Sequence, residues 1–292
     1  MEKSNLPYII ITPAHNEEKY IEFTIKSMIQ QTKLPKEWVI VSDGSTDRTV
    51  EIIEEYGKNY SWIKLVKRPV HRERQFAAKV HAFNSGLRSI VSDDFDIIGN
   101  LDADLSFDTT YFEYLLSKFS ENKNLGVAGT PFIEEENEGY DYSYTNINHV
   151  SGACQLFRIK CFNDIKGYTP VKGGGIDWIA VTTARMKGWE TRTFTDKKLI
   201  HHRKIGTGKS NTVKARFNLG KKDYSLGNSF YWECFRTIYQ MTKKPRIIGG
   251  MVLLFGYIYS MILQKKRPIS KELIIFTRQE QLQRLKSKFL IQ

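Results

Sequence analysis

Tyr8-Ile9-Ile10-Ile11-Thr12-Pro13-Ala14-His15-Asn16-Glu17 is the stretch on which the reading of the fold turns. A short apolar run, residues 8–12, gives way to a polar cluster, and helical spacing follows across residues 17–31, with Tyr20, Ile21, Ile25, Met28 and Ile29 three or four apart or adjacent. The alternation then repeats. Residues 38–41 are strand-like and precede a helix over about 47–56; residues 63–66 are strand-like and precede a helix across 75–90; the apolar run Ile97–Leu101 comes next. Strands alternating with helices predict an α/β fold, a doubly wound and mostly parallel sheet with helices on both faces. Such sheets bind ligands at the carboxyl ends of their strands, where the strand order reverses. Three polar clusters fall at those ends: the segment from Thr12 to Glu17, Ser42-Asp43-Gly44-Ser45-Thr46-Asp47, and Asp102-Ala103-Asp104.

Beyond residues 126–130 the pattern loosens through Glu134-Glu135-Glu136, resumes as a strand near 153–157 and a helix near 177–187, and closes on a strand-like stretch, 198–200, before His201-His202-Arg203. Residues 202–211 are rich in Gly and Lys and read as a mobile loop. Gly206-Thr207-Gly208-Lys209 lacks the strand and helix of a phosphate loop and reads as a flexible lid. Helical patterns run from there to about Leu290. The expected division is residues 1–211 as the α/β domain and 212–292 as a basic helical extension.

Charge separates along the same line. From His201 onward there are 19 Lys and Arg against 4 Asp and Glu, which leaves 25 against 28 before it. The net charge of +12 therefore belongs to the last third, and an anionic membrane or nucleic acid would suit it. Inside that third, residues 247–263 are almost entirely apolar, with Lys243-Lys244-Pro245-Arg246 before them and Lys265-Lys266-Arg267 after. Seventeen residues sit at the short limit of a bilayer span. Basic clusters at both ends favour a hairpin-like or surface-lying element with cytoplasmic flanks over a one-way span, and an apolar segment inside the basic region argues for lipid over nucleic acid. A buried core helix is the plainer reading. The three cysteines form neither a CxxC nor an even set, so a reducing compartment is expected, and the first residues lack the features of a signal peptide. Localisation at the cytoplasmic face of a membrane follows as an expectation.

Two carboxylates one residue apart at a strand end, Asp102 and Asp104, suit a hard divalent cation that shares its shell with substrate phosphates; the same pattern also serves as a turn or a helix cap. Asp43 can accept hydrogen bonds from a base or ribose, or can cap the next helix, as Ser45 or Asp47 could. Asn16 and Glu17 can start a helix, while the loop backbone around Pro13 would touch a nucleotide. GxGxxG is absent after the first strand, which sets aside a nicotinamide-dependent oxidoreductase. A nucleotidyltransferase acting on sugar phosphates would need a Gly-rich basic N-terminal signature, which Pro13-Ala14-His15-Asn16 is not.

Together these clusters resemble the family 2 glycosyltransferases, of GT-A fold. Residues 10–18 look like that family's opening strand and loop, and residues 41–47 like its nucleotide-binding turn, with Ser42 where many members carry a first Asp. Lys79 through Asn84-Ser85-Gly86-Leu87 is similar to its Lys-x-x-Ala-Leu-Asn-x-Gly helix, and Leu101-Asp102-Ala103-Asp104 to its metal motif. Ser151-Gly152-Ala153, Phe157-Arg158 and Gly167-Tyr168 resemble its acceptor-side strand and turn. The resemblance implies a metal-dependent transfer from a nucleotide-sugar, a UDP-sugar by family habit, to a saccharide or lipid-linked acceptor hydroxyl, with inversion. It implies nucleotide contacts from Thr12, Pro13, Ala14, Asn16, Glu17, Asp43, Lys79, Asp102 and Ala103. It implies Mn²⁺ or Mg²⁺ on Asp102 and Asp104, completed by His201 or His202, with imidazole favouring Mn²⁺. Asp177 would be the catalytic base, with Gly152 and Trp178 on the acceptor side. The segment departs from the family's Glu-Asp-x-Asp/Glu-Leu pattern: Ile176 and Ile179 replace two of its acids.

Overall fold

In the computed structural model, residues 6–70, 76–134, 146–203 and 212–289 are described. The chain divides into two compact units, Met1–Lys172 with Ile176–Lys204, and Gly173–Gly175 with Ile205–Gln292.

The first unit opens with three strand–helix repeats: β1 (Tyr8–Ala14), α1 (Ile21–Ile29), β2 (Glu37–Asp43), α2 (Thr49–Asn59), β3 (Ile63–Arg68) and α3 (Phe76–Ser89). It continues through β4 (Ile97–Leu101), β5 (Leu105–Ser106), α4 (Tyr111–Glu121), β6 (Leu125–Gly129), β7 (Phe132–Glu134), β8 (Cys154–Arg158), α5 (Ile159–Asp164), α6 (Ile176–Met186), β9 (Glu190–Thr193) and β10 (Leu199–His201). The main sheet has seven strands in the order β3-β2-β1-β4-β8-β6-β9. Every neighbouring pair is parallel except those made by β8, which runs against β4 and β6. A small second sheet, β5-β10-β7, sits beside it.

Alternation along the strands explains the layering. Ile10, Ile40, Trp38 and Leu101 point to one face and pack with Phe112, Leu115 and Leu116 of α4. Ile9, Ile11, Val39, Val41 and Ile98 point to the other and pack with Val80 and Phe83 of α3 and Ala180 and Val181 of α6. Strands buried on both faces read as continuous apolar runs, which is why β1, β2 and β4 were legible in the sequence. The α/β, mostly parallel architecture with helices on both faces is the expected one. Three details differ from the reading above. α1 starts at Ile21, because Asn16 takes a left-handed backbone (φ 55°) and residues 17–20 form a turn. α4 and α5 are additional helices. The strand-like stretch before His201 belongs to the small sheet and not to the main one.

The second unit contains α7 (Thr212–Ser225), α8 (Phe230–Met241), α9 (Ile248–Ile262) and α10 (Lys271–Phe289). α9 lies against α7 and α8. The crossing of α7 and α9 depends on glycine: a Cβ on Gly220 would fall on the Leu253 carbonyl oxygen, and one on Gly256 on that of Phe217. Among the described residues, no helix is long and apolar enough to cross a membrane. Gln75, Glu135, Glu136 and the 204–211 loop lie outside the described residues.

Candidate active site

The strand order reverses between β1 and β4, so the carboxyl ends of β2, β1 and β4 form one rim at the switch point. Antiparallel β8 starts at that same end, since Cys154 pairs with Leu101, and this brings Gly152 to the rim. In the small sheet His201 pairs with Leu105, which places it beside Asp104. Asp177 arrives in the first turn of α6.

The loops that follow β1 and β2 are laced together. The backbone N–H groups of Asn16, Glu17 and Glu18 donate to Ser45 Oγ (3.2 Å), Thr49 Oγ1 (2.7 Å) and Asp47 Oδ2 (3.1 Å), and Thr46 N–H donates back to Asn16 Oδ1 (2.8 Å). Arg68 donates to the buried Asp43 carboxylate. The Thr12 hydroxyl accepts from Trp38 Nε1 (2.9 Å) in the core, and the Ala14 and Ala103 side chains also pack there. At Thr12, Ala14 and Ala103, then, it is the backbone that stands at the rim, beside Pro13.

Asp102, Asp104 and His201 each bring one ligand atom to within 4.8 Å of the others. Asp104 and His201 are buried; His201 Nε2 lies 3.6 Å from Asp104 Oδ1. His202 goes elsewhere: its Nε2 is 3.0 Å from Ser106 Oγ and its ring stacks on Phe23 at 4.4 Å. The charges of the cluster act strongly on one another. Burial, and then the charge of Asp102, hold the Asp104 carboxyl above its ordinary range, against the pull of His201, Arg203 and Lys79. Glu17 is pushed up to about 8 by burial and by the charge of Asp104, although Arg203 donates to it. Arg203 Nε also lies 3.4 Å from Asp104 Oδ2, so this guanidinium answers both acids. A half-buried carboxylate, a buried one and a buried imidazole converging on one point fit Mn²⁺ or Mg²⁺, with the nitrogen favouring Mn²⁺.

Lys79 donates to Asp102 and approaches the Gly152 carbonyl oxygen (3.4 Å), which also accepts from Asn100 Nδ2 (2.9 Å). Burial lowers the Lys79 value, but the charges of Asp102, Asp177 and Asp104 carry it above the ordinary lysine range. Gly152 is the joint between the two sets of acids. A Cβ there would stand 3.1 Å from Asp177 Cβ and 3.5 Å from its Oδ2. Across from it, His149 Nε2 lies 3.8 Å from Asp177 Oδ2, and Trp178 is half-buried beside it on α6. Arg68, Asn100, His149 and Arg203 are the site residues that sequence reasoning missed. Arg203 was findable next to the two histidines; the other three carried no local signal.

A sequence profile described as glycosyl transferase family 2 matches residues 9–180. The poly-beta-1,6-N-acetyl-D-glucosamine synthase of Staphylococcus epidermidis is 29% identical over 173 residues, 53% of this chain and 40% of that one. The minor teichoic acid biosynthesis protein GgaA of Bacillus subtilis is 26% identical over 210 residues, 68% of this chain and 44% of that one. This chain thus spans less than half the length of these relatives. Among solved structures, S. aureus TarS 1-349 in complex with UDP matches with a TM-score of 0.57 at 14% identity, covering 89% of this chain and 92% of that one. The mannosyltransferase PcManGT of Pyrobaculum calidifontis, in complex with GDP-Man and Mn²⁺, matches with a TM-score of 0.58 at 15% identity, covering 98% and 88%. These likenesses agree with a GT-A fold. With the profile covering more than half of its length and the motifs in place along the rim, the chain belongs to glycosyl transferase family 2.

Proposed function

We propose that this chain transfers a sugar from a nucleotide-sugar, a UDP-sugar in the first instance, to an acceptor hydroxyl with inversion, in the synthesis of a cell-surface polysaccharide or glycolipid. The observation that carries the reading is the convergence of Asp102, Asp104 and His201 at the switch point, with Asp177 one glycine away. Both structural neighbours hold nucleotides, UDP in one and GDP-Man in the other, and the two sequence relatives are named for the synthesis of poly-beta-1,6-N-acetyl-D-glucosamine and of minor teichoic acid.

In this mechanism the backbone at Thr12, Pro13 and Ala14, with the Asp43 carboxylate, holds the nucleoside, while Asn16 keeps the two loops in register. Asp102, Asp104 and His201 would hold a divalent cation. That cation, once bound, supplies positive charge to the departing diphosphate. Lys79 and Arg203 balance the acids before the donor enters. Asp177 takes the proton of the attacking hydroxyl, which Gly152 and Trp178 border, and one base on one side gives inversion. His149 orients the Asp177 carboxylate. The basic charge of the second unit supports a site of action at the cytoplasmic face of an anionic membrane, where a lipid-linked acceptor would lie. A thermal-shift panel of UDP, GDP, CDP and ADP, each with Mn²⁺ and with chelator, tests the reading, because only a binding ligand raises the melting point. UDP with Mn²⁺ is expected to stabilise most; no shift from any diphosphate would overturn it.

A further inference from the structure

The second unit turns an apolar stripe of α9 outward. α9 keeps Gly249, Gly250, Leu253, Gly256, Tyr257 and Ser260 on its buried side. It turns Ile248, Met251, Phe255, Tyr259 and Ile262 outward, at 58%, 59%, 62%, 39% and 70% exposure. Steps of three and four residues put all five on one stripe. α8 follows the same rule, with Tyr231 and Ile238 exposed while Glu233 and Thr237 are buried. α10 is mixed: it exposes Ile275 and Leu282 and buries Thr277 and Gln281, but it also buries Leu273 and exposes Arg278 and Lys286. A helix packed in water does the reverse of α8 and α9. Small and polar residues between helices, with large apolar residues outside, is the arrangement of helices whose surroundings are lipid.

Charge identifies the occupant. Lys243, Lys244 and Arg246 stand before the stripe, Lys265, Lys266 and Arg267 after it, and no Asp or Glu occurs between Glu233 and Glu272. A cationic rim at both ends of an apolar stripe complements acyl chains under the stripe and anionic phosphates at its ends. The 15 residues of α9 rise about 22 Å, short of the ~30 Å hydrocarbon core. Basic residues at both ends oppose a one-way crossing.

We propose that the α9 stripe lies flat in the interfacial layer of an anionic bilayer, its two basic clusters seated on lipid phosphates. This rests on the membrane-face reading above and gives it a surface.

The test is flotation of the full chain with phosphatidylcholine vesicles, with and without phosphatidylglycerol, alongside sedimentation without lipid. The parent is expected to float with the anionic vesicles, with binding weakened but not abolished by high salt. A triple variant, Met251→Ser, Phe255→Ser and Ile262→Ser, is expected to lose affinity by on the order of tenfold or more. Lys243→Ala, Lys244→Ala, Lys265→Ala and Lys266→Ala together are expected to remove the preference for phosphatidylglycerol. Far-UV circular dichroism and the UDP–Mn²⁺ thermal shift of each variant, both expected to match the parent, separate loss of the surface from loss of the fold or of the donor site. A parent that ignores anionic vesicles, a triple variant that floats like the parent, or a stripe that serves only to join two copies in solution would each overturn the proposal.

Discussion

Gly152 and Lys79 stand between Asp177 and the Asp102–Asp104–His201 cluster, and that separation predicts two distinct phenotypes. Asp177→Asn keeps the shape of the side chain while removing the basic oxygen. It should leave donor binding nearly intact while kcat falls on the order of 10²–10⁴-fold, which steady-state kinetics and calorimetry together would register. Equal loss of donor binding and turnover would move Asp177 into the nucleotide or metal site. The two histidines give a second contrast. His201→Ala should weaken Mn²⁺-dependent UDP binding strongly and His202→Ala little, since His202 lies against Phe23 and Ser106. Similar losses in both would contradict the placement. Sequence alone left these histidines equivalent because they are adjacent; strand geometry separates them, sending consecutive side chains to opposite faces. Asp43, Asp102 and Asp104 stood out because each sits in a contiguous polar motif at a strand end, whereas Asp177, between Ile176 and Trp178, was singled out only by the family resemblance. His149, Asn100 and Arg68 were not, because only the sheet order carries them to the rim.

At the scale of elements, β1, β2 and β4 announced themselves as mainly apolar runs, while α4 went unassigned although Tyr111, Phe112, Leu115, Leu116 and Phe119 recur at helical spacing. β5, β7 and β10 are two or three residues long, too short to carry a period. The α7–α9 crossing yields a paired prediction. Gly256→Ala puts a methyl group against the Phe217 carbonyl and should destabilise by about 1–3 kcal/mol. Gly57→Ala in α2 has room, its nearest atom at 3.7 Å, and should be neutral or stabilising by up to about 1 kcal/mol. Urea melts of both would check the ordering, and equal effects would refute the close crossing.

α8 adds a pH dependence. Arg236 pairs with the buried Asp223 at 2.8 Å, and burial together with the Asp223 charge pushes Glu233 up to about 8. The unfolded chain releases that proton near 4.5, the folded one only near 8, so the folded state holds more protons between the two. This group's contribution to stability therefore falls as pH rises through that window, by at most about 1.4 kcal/mol per pH unit, and levels off above it. Thermal melts from pH 5 to about 9 should show Glu233→Gln gaining on the parent as pH rises. Parallel curves would mean Glu233 is ionised in the fold.

On the scale of the whole molecule, charge and chemistry are divided along the chain. The acids proposed for catalysis and metal binding precede residue 201 in a segment with 25 basic and 28 acidic residues, while the remainder carries 19 against 4. The acidic part thus suits a cation and its diphosphate, and the basic part an anionic surface. Calorimetric titration of UDP into the full chain, with Mn²⁺ and with chelator, repeated on Asp104→Ala and Asp177→Asn, is the most direct test. Binding should require Mn²⁺ in the parent, vanish in Asp104→Ala and persist in Asp177→Asn. UDP binding that ignores the metal, or that Asp177→Asn loses as fully as Asp104→Ala, would contradict a metal-assisted transfer with Asp177 as its base.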